Sequence, residues 1–356
     1  MSADLFPFFP PELEREIFEL AAELHPESIH SLLLVSRRVC EWIEKIKYRT
    51  ITTNGIHSTC SFPVVQLAIR SYSKPVSFFQ DHVRNFFFRA DDRSYKKQHE
   101  IGRTLSACNG IQDLVLENIA WTQSILPSLW AMQPRRLSIV WNFEFIELDP
   151  HQQMFAFLTH LHVNEAAIAA SVSFHLILPD SPLPLFLAEL PVLTHFAMAI
   201  GLLILGPPEV EQNILASCQN LQVLIVGGAE PEVDEPEELP SIDDVRFLYM
   251  DAKFESESDW VNGKRGRKDW WARADAFVAK KRRGEIHPSL SDPRTSFGIR
   301  LINAQARVVG LKPGMGFEVL IPYLLGVGGW AGLAGFIPAF LVGRTRFGAC
   351  SSLDQF

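Results

Sequence analysis

The sequence predicts an α+β chain: a small N-terminal module of three helices, followed by an α/β solenoid of repeated strand-and-helix units. Three observations carry this prediction. Residues 8–51 hold three amphipathic segments separated by short breaks. From about residue 80 a phrase of the form apolar-x-x-apolar-x-apolar returns seven times. At 47% hydrophobic and 21% charged over 356 residues, the chain can bury a sizeable core and lacks the composition of a disordered one.

The first helix starts at Pro10-Pro11-Glu12. Proline is pre-set for the first helical position, and early acids suit the positive end of the helix dipole. Leu13, Ile17, Leu20 and Leu24 then share one face, with Glu12, Glu16, Glu19 and Glu23 placed elsewhere. "HPES" breaks this helix, and Ser28 is positioned to cap the next, which carries Ile29, Leu32 and Leu33. Ser36 opens a third run with Val39, Trp42, Ile43 and Ile46 on its apolar side. A module this small is marginal alone, so part of its apolar surface awaits a partner or the following repeats.

The order Pro-Pro-Glu-Leu, then Ile-Phe, then "LLLVSRRVCEWIEKIKYRTI" resembles the F-box motif over residues 8–51. One departure is Val39, where the family often has tryptophan; Trp42 lies one turn on. The resemblance implies a docking module for the small adaptor subunit of cullin-RING ubiquitin ligases. Carried over to this chain, it implies that Pro10, Pro11, Leu13, Ile17, Leu33, Val35 and Ser36 face the adaptor. The implied chemistry is an apolar helix face seated in a groove. A plain three-helix cap on the repeats is the alternative.

The repeated phrase centres on Phe86, Leu114, Leu137, Leu161, Phe196, Leu224 and Leu248, 23 to 35 residues apart. Such alternation reads as a short strand with one face buried. The period and Leu-rich lead-ins such as "LASCQNLQVLIV" resemble an irregular leucine-rich repeat over residues 52–250. Asn109 and Asn220 suit the turns that precede strands. In this register the residues flanking each centre form two ladders on an open sheet face. One holds Asp113, Arg136, His160, His195, Val223 and Phe247; the other holds Val115, Ser138, His162, Ala197, Ile225 and Tyr249. Arrays of this kind bind proteins on that surface. The expected partner-binding residues are Asp113, Arg136, His160, His162, His195 and Tyr249. Two histidines on one strand with His195 a repeat away also raise a metal site, but no cysteine or carboxylate near them in sequence completes a shell. No metal or other cofactor is expected.

Residues 251–288 are expected to form a linker and a capping helix. Before them, "GGAEPEVDEPEELPSIDD" at 227–244 reads as a solvated acidic loop between repeats. Asp269 is the expected N-cap of a helix with Trp270, Ala274, Phe277 and Val278 on its stripe, closed by Gly284 and covering the open end of the array. Its basic residues Lys280 to Arg283, with Lys264 to Lys268, also match the two parts of a nuclear address. Residues 289–356 are a tail of open fold. Within it, 319–343 is an uncharged apolar run long enough to span a membrane, though its six glycines and two prolines suit a spanning helix poorly.

The formal net charge of -8 argues against general nucleic-acid binding. The five cysteines are widely spaced, fitting a reducing compartment. The expected location is cytoplasmic, nuclear or both. No nucleophile elbow, zinc-protease or phosphate-loop signature occurs, so no enzyme activity is expected. The leading expectation is a non-catalytic substrate-recognition subunit of an F-box-type ubiquitin ligase, with the adaptor, through it a cullin, and an unidentified protein target as partners. A repeat-based interaction scaffold without a ligase role, and a membrane-tethered protein anchored by 319–343, remain the alternatives.

Overall fold

A computed structural model of the chain describes residues 9–55, 58–90, 95–117, 119, 125–141, 149–165, 183–199, 209–228, 242–251 and 256–288. All of these residues fall within one compact unit, Met1–Ile302. The acidic run at 229–241 and the apolar run at 319–343 both lie outside the described residues. Among the described residues no helix is long and apolar enough to cross a membrane.

The protein is α/β: N-terminal helices lead into a parallel sheet of nine strands alternating with helices. Helices α1 (Pro11–Leu24), α2 (Ile29–Leu32) and α3 (Arg37–Arg49) form the bundle, with a 3-10 turn over Pro26–Ser28 between the first two. Strand β1 (Thr50–Thr52) follows α3 without a linker and pairs with β2 (Cys60–Ser61). These two short strands precede the first expected repeat and carry too few residues to show alternation. Then come α4 (Phe62–Arg70), α5 (Val76–His82), β3 (Asn85–Arg89), α6 (Tyr95–Ala107), β4 (Asp113–Glu117), α7 (Leu126–Trp130), β5 (Arg136–Trp141) and β6 (His160–Glu165). The series continues with α8 (Leu183–Glu189), β7 (His195–Ala199), α9 (Glu209–Ser217), β8 (Val223–Gly228) and β9 (Phe247–Asp251). Strand order is β2-β1-β3-β4-β5-β6-β7-β8-β9, so each repeat adds its strand at the same growing edge.

Register across the sheet follows the predicted centres: Phe86, Leu114, Leu137, Leu161, Phe196 and Leu224 are successive Cα partners. All six are buried in one core with Phe79, Ile101, Leu105, Leu129, Leu187 and Ile214 from the repeat helices. β9 departs from the predicted phase. Leu224 pairs with Phe247 rather than with Leu248. Phe247 and Tyr249 therefore enter the helix-side core, edge to face at 4.8 Å, and Leu248 turns to the opposite face. Since side chains alternate along a strand, a one-residue slip exchanges the faces completely. "FLYM" is apolar at every position, so its periodicity leaves the phase open.

The second face of the sheet is also covered. Helices α10 (Glu257–Lys264) and α11 (Trp270–Arg282) lie across it instead of capping the end of the array. Trp270, Trp271, Ala274 and Val278 pack on Ala197, Val223, Ile225, Leu248 and Met250. Trp260 and Val261 pack on Phe87 and Val115. A parallel sheet buried on both faces fits strands that read as near-continuous apolar runs, as in β8 "VLIV".

Candidate functional site

Two surfaces concern the expected function: the outer face of the N-terminal bundle, and the sheet face under α10 and α11.

The bundle's core is small and complete. Ala22, Ile29, Val39 and Ile43 are at most 1% exposed, with Phe18, Leu32, Leu33, Trp42 and Ile46 packed around them. Val39, at 0% exposure, sits at the centre of this packing. Ser36 caps α3: its Oγ accepts from the Val39 backbone N–H at 3.2 Å. Arg38 pairs with Glu14, and Arg49 with Glu23 at 2.8 Å, so both ends of α3 are tied to α1. Tyr48 meets Phe78 and Phe79 of α5 edge to face at 5.5 and 5.8 Å, and Lys74 reaches Glu44 at 2.5 Å. The bundle is thereby docked on the first repeat.

The apolar stripe of α1 is not part of that core. Leu13, Ile17, Leu20 and Leu24 are 48%, 51%, 53% and 65% exposed. The helix buries its other side through Phe18 and Ala22. Leu34 and Val35, exposed in the turn before α3, lie near the same end of α1, because Arg38 reaches Glu14. Four half-exposed aliphatic side chains in line, each worth about 1 kcal/mol when covered, form a surface with affinity for another apolar face. The far end of the stripe, Leu20 and Leu24, opens into a cleft of about 410 Å³ lined also by Ile46, Arg49 and Lys264.

Of the seven residues assigned to this surface, Pro10, Pro11, Leu13, Ile17, Val35 and Ser36 are exposed. Leu33 is partly buried against the bundle core, and Ser36 serves α3 as its cap. Leu20, Leu24 and Leu34 belong to the surface and were not assigned to it. For the first two the signal is present in the spacing, which predicts one apolar face but not whether it points inward.

The sheet face expected to be open is closed. Asp113, His162 and His195 are buried at 6%, 2% and 7%, and Tyr249 points into the helix-side core. The polar ladder residues bond the covering helices. Asp113 accepts from the Trp260 indole N–H at 2.9 Å and pairs with Lys264. Arg136 donates to Asp269 Oδ2 at 2.9 Å, while Asp269 Oδ1 caps α11 by accepting from the Ala272 N–H. His162 Nδ1 is 2.8 Å from Ser138 Oγ, and its ring meets Trp270 edge to face at 5.4 Å. His160 stacks on His195 at 4.1 Å, and His195 Nε2 lies 2.9 Å from Asp275 Oδ1. Burial, with His195, Arg136 and Lys264 nearby, holds the His160 imidazole well below its usual range. The mixed polar and apolar character read from the ladders is thus matched by this chain's own C-terminal helices. Among the described residues no group of three or more His, Cys, Asp or Glu is arranged to hold a metal ion.

One residue of each basic cluster is drawn into the fold, while Arg265, Arg267, Lys268, Lys280, Arg282 and Arg283 stay exposed. Lys281 Nζ donates to the carbonyls of Phe247 at 2.7 Å and Pro288 at 2.6 Å, and burial lowers its pKa to about 8. Lys264 is committed to Asp113. Asp269 and Gly284 occupy the predicted ends of α11, with Gly284 at a φ of 72° just beyond the last turn.

Scans of the chain against protein-family models, curated proteins and solved structures each returned no match.

Proposed function

We propose that this chain is the non-catalytic target-recognition subunit of an F-box-type cullin-RING ubiquitin ligase. In this reading α1 and the turn before α3 dock on the ligase adaptor and, through it, on a cullin. The repeats, an irregular leucine-rich-repeat-like array, hold a protein destined for ubiquitin-dependent degradation. The observation that supports it is the α1 stripe: Leu13, Ile17, Leu20 and Leu24 are exposed although the bundle core closes without them. A helix face of this kind is recognised by a groove that takes anchors one turn apart. Target capture falls to surfaces other than the covered sheet face; Leu67, Tyr72 and Leu185 stand 68%, 81% and 68% exposed on the helix layer and its loops.

A scaffold with no ligase role is favoured by one observation: Leu33 packs on the bundle core and the exposed Ser36 caps α3, so both have structural work. Titration of the full chain with purified adaptor, by calorimetry, separates the two. The ligase reading expects a micromolar or tighter complex that a Leu13→Asp, Ile17→Asp variant weakens at least about 30-fold, the loss expected when two apolar anchors of about 1–3 kcal/mol each become charges. No complex with either protein leaves the scaffold reading.

A further inference from the structure

The contact between α11 and the sheet is built on imidazoles, and its charges are unevenly shared. His160 and His195 are register partners on β6 and β7 and stack at 4.1 Å with their planes 7° apart. Trp271 meets both rings edge-on, at 5.0 and 5.6 Å. Each Nδ1 is bonded to the preceding threonine: Thr159 Oγ1 at 2.9 Å from His160, Thr194 Oγ1 at 2.8 Å from His195. The outer nitrogen of His195 faces Asp275 of α11 at 2.9 Å. The charges acting on His160 are cationic: Arg136 of β5, Lys264 of α10 and His195 itself.

The remaining charges that face this contact are paired off. Asp113 of β4 is held by Lys264, Asp269 by Arg136, and Asp259 of α10 by Arg273 of α11 at 2.7 Å. Lys281, at the far end of α11, is engaged by the carbonyls of Phe247 and Pro288. Asp275 thus faces the His195 end of the stack, and His160 has only cations beside it. Protons on both rings set two cations face to face in a site partly closed to water, and among the described residues the carboxylates Asp113, Asp259 and Asp269 beside it are already paired.

We propose that α11 is an acid-released cover: charging both rings of the His160–His195 stack frees the helix and uncovers Ala197, Val223, Ile225, Leu248 and Met250 as an apolar sheet face. The inference is independent of the adaptor reading. An imidazole whose proton affinity is depressed in the closed form binds protons better when open, so closure is complete above the free-histidine pKa and is lost as pH falls below it. That pKa is about 6.5, so one such group raises the opening constant by up to about 25-fold between pH 7 and pH 5.

Hydrogen exchange of the full chain, as protection factors over residues 274–278 and over β3 and β4 at pH 7 and pH 5, tests this. The expected result is a fall of about 10- to 25-fold in α11 alone, absent in a His160→Phe variant that keeps the ring and removes the proton site. Unchanged protection of α11, an equal fall in β3 and β4, or a fall that persists in His160→Phe overturns the proposal. Should His160→Phe lack native far-UV dichroism at pH 7, Asp275→Asn decides, since the Asp275 side chain is 53% exposed. Removing that carboxylate takes away the acid that faces the stack, so the charged rings repel without relief and the fall begins at higher pH; an unchanged onset overturns the proposal.

Discussion

Arg136 donates from Nη1 to Asp269 Oδ2 at 2.9 Å, joining the middle of the sheet to the N-cap of α11 across 133 residues of chain. The other carboxylate oxygen of Asp269 caps the helix through the Ala272 N–H. One carboxylate therefore both starts α11 and fixes where that start lies on the sheet.

Asp269→Ala is expected to lose both roles, a cap worth about 1 kcal/mol and a charged hydrogen bond worth about 1.5. Asp269→Asn keeps the capping oxygen and should lose roughly half as much. Arg136→Ala in the Asp269→Ala background should cost clearly less than alone. Urea unfolding of the four proteins as a double-mutant cycle measures the coupling, expected near 1 kcal/mol.

The N-terminal bundle should separate folding from surface. Ile43→Ala removes a side chain that is 0% exposed and is expected to cost about 2–5 kcal/mol. Ile17→Ala removes one that is 51% exposed, and its cost should stay below about 1 kcal/mol. Chemical denaturation of both variants checks this; equal losses would mean that the α1 stripe is part of the core.

Glu211 of α9 is 2% exposed, and burial raises its carboxyl pKa to about 7. A carboxyl whose folded pKa is raised binds its proton better in the folded state. Its unfavourable contribution is absent below the unfolded value near 4.5, grows as pH rises, and is complete above about 7. Glu211→Gln should therefore be more stable than the parent at pH 8, by an amount on the order of 3 kcal/mol, and about equal to it at pH 4.5. Thermal unfolding at the two pH values measures the difference.

The phase of β9 is testable by local exchange. Leu248 is 1% exposed on the α11 side and Phe247 is 3% exposed on the helix side. Leu248→Ala, at a cost of about 3 kcal/mol, should lower protection in α11 before α9. Phe247→Ala should do the reverse, and the same order in both variants would contradict the register.

Much of the architecture was legible in the residues. Six of the seven predicted strand centres pair in the predicted register, because a strand with one clear apolar phase has only one way to bury it. The seventh failed where "FLYM" offers two phases of equal apolarity, and the choice fell to what each face could fill. Asp269 and Gly284 were readable as the ends of α11, since caps act within one turn of chain. The outward ladders were read correctly as a polar-apolar mixture from β4 to β8, but not as a surface already occupied.

Local rules act over a few residues, so the sequence by itself determined the helices of the bundle, the repeated strands and the caps that bound α11. Which faces meet is a different matter. Whether Leu13, Ile17, Leu20 and Leu24 turn inward, and whether Asp113, Arg136 and His195 meet solvent or α10 and α11, depends on elements up to 151 residues away in the chain. An amphipathic pattern records that a face is apolar; only the competition among all such faces for burial, settled in three dimensions, decides which is left uncovered.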